Sequence, residues 1–296
     1  MSTSSAAEQR LRLRTELRKA RQDAALTQRQ VADLMEWSPS KLLRIESGEN
    51  GISVNDLRPL LAAYGITDPP RIEMLLDLAR GSKKMPYSEY RDLFPKDFLQ
   101  FLALESAAQV CRYFNSLQLP RLLQTEEYAR AIAAAYVGGT LSEEHERMIE
   151  AQLSRQDVLQ NVPDREVFVI LDEAVLHRHV GGQGVMRAQL LRIAALSEQP
   201  GVSIRILPYT VGAHAGLQGP FTLLEFRTDD MPASLFLENP RGDSFATASP
   251  QDTARYLELF WQLEELSIKD GVRELIEGLA QRLGEGLDGL AGPLPG

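Results

Sequence analysis

Four polar side chains, Ser38, Ser40, Lys41 and Arg44, fall at the cap and along the body of one short helical pattern that Pro39 opens and Ser47 ends. On the outer face of a helix, such groups suit the major groove of duplex DNA. Arginine is the commonest bidentate reader of guanine, and Ser and Lys reach base edges or phosphates. Just upstream, Thr27 and Gln28 stand at the start of another helical pattern. There the Gln28 amide and the free N–H groups of a helix N-terminus can hold a phosphate. The alternative for Lys41 and Arg44 is a solvated charged surface. Pro39 has no donor at a usual reading position. Leu43 is exposed by the same geometry, and either meets a thymine methyl or is an ordinary exposed leucine.

The net charge of −9 at first argues against a polyanionic partner, but the charge is unevenly placed. Residues 10–47 carry nine Lys/Arg and five Asp/Glu, a balance of +4 that leaves −13 on the rest of the chain. A basic segment on an acidic body fits nucleic-acid contact through that segment alone. A solvated helix face is the alternative for so small an excess.

A second set of reactive groups lies further on. Asp172 and Glu173 follow an apolar run, and His214 sits in the Gly-rich stretch from Pro208 to Pro220. Two acids and a histidine at the C-terminal ends of parallel strands would give an apolar crevice polar groups for a ligand or partner. The alternatives are that Asp172 only caps the next helix and that 208–220 is a plain surface connection. His177 and His179 are two residues apart, which on a helix sends the rings to different faces. With His145 and the single Cys111 they give no zinc spacing. No P-loop, dinucleotide fingerprint or nucleophile elbow occurs, and Gly181-Gly182-Gln183-Gly184 has only a superficial phosphate-loop look. Glu225 and Glu238 complete the acids considered for catalysis. No cofactor, no metal and no enzymatic activity are expected.

The elements that position these groups change character along the chain. Met1–Glu8 is small and polar and reads as a disordered lead without a signal sequence. Residues 12–65 divide into short helices: Arg12–Ala24 with Leu13, Leu17 and Ala20 on one face; Thr27–Met35 with Val31, Ala32 and Met35 inward; Pro39–Ser47, capped by Ser38, with Leu42 and Ile45 inward; and Val54–Tyr64 burying Leu57, Leu60 and Leu61. Gly48 is the expected stop of the third. Two short helices with a tight turn, wrapped by others, is the helix-turn-helix plan.

Residues 81–86 form a polar break, and 96–161 read as helical. Pro120 interrupts that stretch, Thr125 and Ser142 cap new helices, and Tyr128, Ile132 and Tyr136 recur at spacing four. Strands are expected at 166–172, 202–208, 221–227 and 233–238. The helix from about Gly184 to Ser197 makes the first two a parallel pair, and residues 229–232 link the last two as a hairpin. Ser249-Pro250 opens a helix with Leu257, Phe260, Trp261 and Leu263. Residues 271–283 form the last helix, and 284–296 a flexible tail.

Leu26-Thr27-Gln28, Val31-Ala32, Ser38-Pro39-Ser40 and Arg44-Ile45-Glu46-Ser47-Gly48 together resemble the Xre-type helix-turn-helix of lambda-repressor-like proteins, over about residues 10–66. The resemblance implies that Arg21 pairs with Glu46, and that Trp37 stands where the family usually has glycine. Residues 119–130 (LPRLLQTEEYAR), Leu171–Leu176, Leu207-Pro208 with Gly212-Ala213-His214, and Gly219–Phe226 resemble the C-terminal domain of the actinobacterial WhiJ-like group of Xre-type regulators. That resemblance implies a regulator, commonly encoded near a small partner protein.

The expected fold is therefore an all-α helix-turn-helix domain (10–82), then an α/β or α+β domain (83–283) with a mixed sheet of about four strands. The expected function is a cytoplasmic, sequence-specific DNA-binding transcriptional regulator, a repressor in kind. Its C-terminal domain would sense a partner protein or small ligand. An enzyme, toxin-type effector or antitoxin that uses the helix-turn-helix for autoregulation is the alternative. The expected partners are double-stranded DNA and a second copy of the chain, with no membrane. The dimer contact would lie at residues 250–283, anchored by Phe260 and Trp261 unless both are core.

Overall fold

The computed structural model describes residues 6–47, 50–82, 87–159, 165–226, 233–238, 244–247 and 249–289. The expected stop at Gly48, the link at 229–232, and the ends of the lead and tail lie outside them. The chain divides into two compact units, the first running to Ala107 and also taking in Phe226, the second holding the other described residues from Ala108 on.

The first unit holds α1 (Ala6–Asp23), α2 (Gln28–Leu34), α3 (Pro39–Ser47), α4 (Val54–Ala63), α5 (Pro69–Gly81) and α6 (Lys96–Ala107). Helix α1 starts inside the expected lead, because Ala7 and Leu11 lie four residues apart and both are buried. Leu13, Leu17, Val31, Leu42, Ile45, Leu57, Leu60, Leu61, Leu75 and Leu76 form one apolar core. These positions recur at three and four, as the periodicity of α1, α3 and α4 predicts. Side chains cap α2 (Thr27), α4 (Ser53) and α5 (Asp68) by accepting the third helical N–H.

The second unit is built on a six-stranded mixed sheet in the order β3-β2-β1-β4-β5-β6. The strands are β1 (Val110–Asn115), β2 (Glu166–Asp172), β3 (Val202–Leu207), β4 (Phe221–Glu225), β5 (Ser234–Glu238) and β6 (Ser244–Thr247). As expected, β2 and β3 are parallel and β4 and β5 antiparallel. Strand β1 lies between β2, to which it is parallel, and β4, to which it is antiparallel.

Strand β1 corrects the helical reading of 96–161. Its side chains are buried on both faces, so the two-residue alternation that marks a half-exposed strand is lost. Arg112 inside it further disguises the run. The Arg112 guanidinium lies over the Phe168 ring, 4.6 Å from its centroid, and donates from Nε to Glu225 at 2.8 Å. This covers the charge between neighbouring strands.

Helices α7 (Glu126–Val137) and α8 (Glu143–Ser154) separate β1 from β2, with Thr125 and Ser142 as their side-chain caps. Tyr128 is buried but Tyr136 is exposed, so the expected stripe does not reach the end of α7. The four-residue α9 (Ala174–His177) and α10 (Gln183–Leu196) connect β2 to β3. Helix α11 (Pro250–Leu266) follows the sheet, capped by Ser249. Its Phe260 and Leu263 pack with Phe114, Ile170, Leu207, Phe221, Leu223 and Leu235. Phe260 is therefore core and cannot anchor a dimer, whereas Trp261 is about half exposed (49%). Helix α12 (Val272–Gly289) runs past the expected end at 283, since Gly284 does not interrupt its hydrogen bonding. No described helix is long and apolar enough to cross a membrane.

Candidate functional site

In the N-terminal unit, α2 and α3 are joined by the turn Met35-Glu36-Trp37-Ser38. The left-handed residue of that turn is Glu36, with φ of 54°. The glycine-like backbone position is thus 36, and Trp37 stands beside it rather than in it.

Glu46 fixes the angle of α3. Its carboxylate is almost fully buried and accepts three hydrogen bonds: from Arg21 Nε at 2.6 Å, Arg21 Nη2 at 3.0 Å and Gln28 Nε2 at 2.8 Å. Arg21 Nη1 donates onward to the Leu26 carbonyl at 2.9 Å. One carboxylate therefore ties α1, α2 and α3 together, and the bidentate fork gives the tie a fixed orientation. Hydrogen bonding to Glu46 holds the Arg21 pKa above its ordinary value. Tyr64, at the end of α4, sits in the same buried neighbourhood. Burial, then the Glu46 charge, pushes its phenol pKa up.

With Leu42, Ile45 and Glu46 inward, Pro39, Ser40, Leu43 and Arg44 are left on the exposed face of α3. The Ser38 and Ser40 hydroxyls lie 3.1 Å apart and hydrogen bond to each other. Lys41 is drawn aside. Its ammonium lies 4.0 Å from the Trp37 ring centroid and 3.2 Å from Asp56 Oδ2 on α4. Thr27 forms a capping box with Gln30: the Gln30 N–H donates to Thr27 Oγ1, and Gln30 Oε1 accepts from the Thr27 N–H at 2.9 Å. Gln28, expected to offer its amide outward, gives one of its two amide hydrogens to Glu46. Sequence reasoning missed the Lys41–Trp37–Asp56 contact, because Asp56 belongs to another helix and no local spacing signals it.

In the second unit the parallel strands deliver Asn115, Asp172 and Leu207 to one end of the sheet. The loop after β3 folds back over that end and brings Asp172, Glu173 and His214 together. Asp172 makes two contacts: Oδ1 accepts the Ala174 N–H at 2.9 Å, and Oδ2 faces His214 Nε2 at 3.4 Å. Glu173 Oε2 accepts the Tyr209 N–H at 2.8 Å, and its Oε1 lies 3.1 Å from His177 Nε2. His177 in turn stacks on Tyr209. Desolvation, then the Glu173 and Asp172 charges, raises the Tyr209 pKa.

The His214 side chain is only 4% exposed and meets the Phe114 ring edge-on. Its Nδ1 is buried without a hydrogen-bond partner among the described residues. Two short 3-10 turns, Tyr209–Val211 and Ala215–Gln218, shape this loop. Beside it, a shallow cleft of about 200 Å³ lies between Ala215 and Gln218 on one wall and Arg255, Tyr256, Leu259 and Gln262 of α11 on the other. No group of three metal-ligating side chains occurs among the described residues.

A helix-turn-helix with an outward-facing third helix, followed by a mixed-sheet α/β unit, defines the class: a two-unit protein with a helix-turn-helix domain at its N-terminal end. Residues 12–74 match the family model described as "Helix-turn-helix domain". Residues 98–271 match that described as "Domain of unknown function (DUF5753)", and the chain belongs to this family. No curated protein and no solved structure matches the chain.

Proposed function

We propose that the protein is a sequence-specific DNA-binding transcriptional regulator of the Xre type, allied to the WhiJ-like group. The observation that carries this reading is the third helix, locked by Glu46 to α1 and α2 with Ser40, Leu43 and Arg44 facing outward. A helix presented rigidly in this way can enter the major groove, while Thr27 and Gln28 take up the phosphate backbone beside it. The −13 balance outside residues 10–47 disfavours DNA on the rest of the chain, which directs the duplex to the N-terminal unit. A single helix-turn-helix spans few base pairs, so a homodimer binding two half-sites completes the reading. The exposed Trp261 is available to its interface, and Phe260 is not.

The C-terminal unit is read as the sensing part, responding to a partner protein or small ligand at the loop 208–220. Burial of the His214 side chain within that loop favours a regulatory site over a catalytic one, since a catalytic imidazole must reach its substrate. The test is selection of bound sequences from a randomised duplex pool by the full chain. Enrichment of one motif at physiological salt supports the reading. An unenriched pool, with binding that only tracks salt, would refute it.

A further inference from the structure

We propose that Leu43 is a specificity-determining residue of this DNA-binding surface and packs on the 5-methyl group of a thymine in the major groove. The inference rests on the DNA-binding reading above and adds the base feature that the helix selects.

Apart from Arg44, the exposed face of α3 offers few polar groups for reading: Pro39 has no donor, the Ser38 and Ser40 hydroxyls share one hydrogen bond, and Lys41 is turned back between Trp37 and Asp56. Leu43 occupies the middle of the face, 52% exposed, three residues after Ser40 and one before Arg44. A single exposed leucine is ordinary on a protein surface. Here, however, the leucine stands on the face left outward once Glu46 has fixed the helix. Within the major groove, thymine alone presents an apolar group, its C5 methyl. An aliphatic side chain placed there gains by covering that methyl. It gains nothing from cytosine, whose C5 carries hydrogen, and cannot satisfy the polar edges of guanine or adenine.

The experiment uses the full chain and the duplex sequence enriched from a randomised pool. Each thymine of that sequence is replaced singly by deoxyuridine, which removes one methyl and no hydrogen-bonding group. The expected result is at least one thymine whose replacement weakens binding about fourfold, the worth of burying one methyl-sized group. Leu43→Ala should then bind the thymine and uracil duplexes equally. The change on the DNA side leaves the protein intact, so folding of the variant does not decide the outcome. If deoxyuridine is neutral at every position, or Leu43→Ala still discriminates thymine from uracil, the proposal is overturned while the DNA-binding reading stands. A pool with no enriched sequence overturns both.

Discussion

Arg21 grips Glu46 through two parallel hydrogen bonds, at 2.6 and 3.0 Å, with side chains 12% and 3% exposed. The pair sits behind the third helix and sets its position without facing outward. Removing one partner leaves the other as an uncompensated, largely buried charge. Glu46→Ala should therefore destabilise the N-terminal unit by about 3–5 kcal/mol. Urea unfolding should show the loss in the transition of that unit, with the C-terminal transition unmoved. Arg21→Lys keeps the charge but loses the fork, and should lie between Glu46→Ala and the parent protein.

Tyr64 gives a pH dependence of known sign. Burial and Glu46 raise its folded pKa above the ordinary value near 10. Below that value the phenol is neutral in both folded and unfolded chains. Above it the unfolded chain ionises first, so stability is lost as pH rises beyond about 10. Tyr64→Phe should flatten this alkaline loss. Because the Tyr64 hydroxyl is buried with no hydrogen-bond partner among the described residues, the variant should be neutral or about 1 kcal/mol more stable at pH 7. Thermal denaturation at pH 7 and pH 11 checks both parts.

Lys41 and Arg44 should separate on DNA. Arg44→Ala should lose about 1–3 kcal/mol on the selected sequence if its guanidinium reads a base. Lys41→Met should leave the slope of log affinity against log salt nearly unchanged, since Asp56 already neutralises this ammonium. A slope shallower by about 1 in Lys41→Met would show that the lysine leaves Asp56 for a phosphate.

Gly216 tests how tightly the loop 208–220 is seated. A Cβ there would stand 2.5 Å from Cζ of Phe114 and 3.0 Å from Nδ1 of His214. Gly216→Ala should overpack the site and cost about 1–3 kcal/mol in the C-terminal unit. DNA affinity of the N-terminal unit should be unaffected, as read by binding to the selected duplex.

Asp172→Ala together with His214→Ala tests the sensing role. The pair should lose the response of operator binding to native cell extract while binding the selected duplex with parent affinity. An unchanged response would remove the loop from the regulatory site. Asp172→Asn keeps an acceptor for the Ala174 N–H and so separates the helix-start contact from the contact with His214.

The sequence by itself determined the first four helices of the N-terminal unit, because Leu13/Leu17, Leu42/Ile45 and Leu57/Leu60/Leu61 repeat at helical spacing and Thr27 marks a helix start. It also located β2 and β3 and their parallel pairing, since an apolar run, a helix and an alternating run leave few other connections. Resemblance, rather than spacing, pointed to the Arg21–Glu46 pair. Strand β1 escaped because burial on both faces erases periodicity, and because the partner that covers Arg112, Glu225, lies 113 positions away.

Tertiary structure alone decided that Lys41 turns to Trp37 and Asp56, that the left-handed turn residue is Glu36, and that Phe260 is core while Trp261 is not. It also decided that Asp172 can start a helix with one oxygen and face His214 with the other. The physical reason is the same throughout. Local spacing records which face of an element is apolar, but which groups meet across elements depends on how the chain closes long loops and on charges and rings that no neighbouring residue encodes.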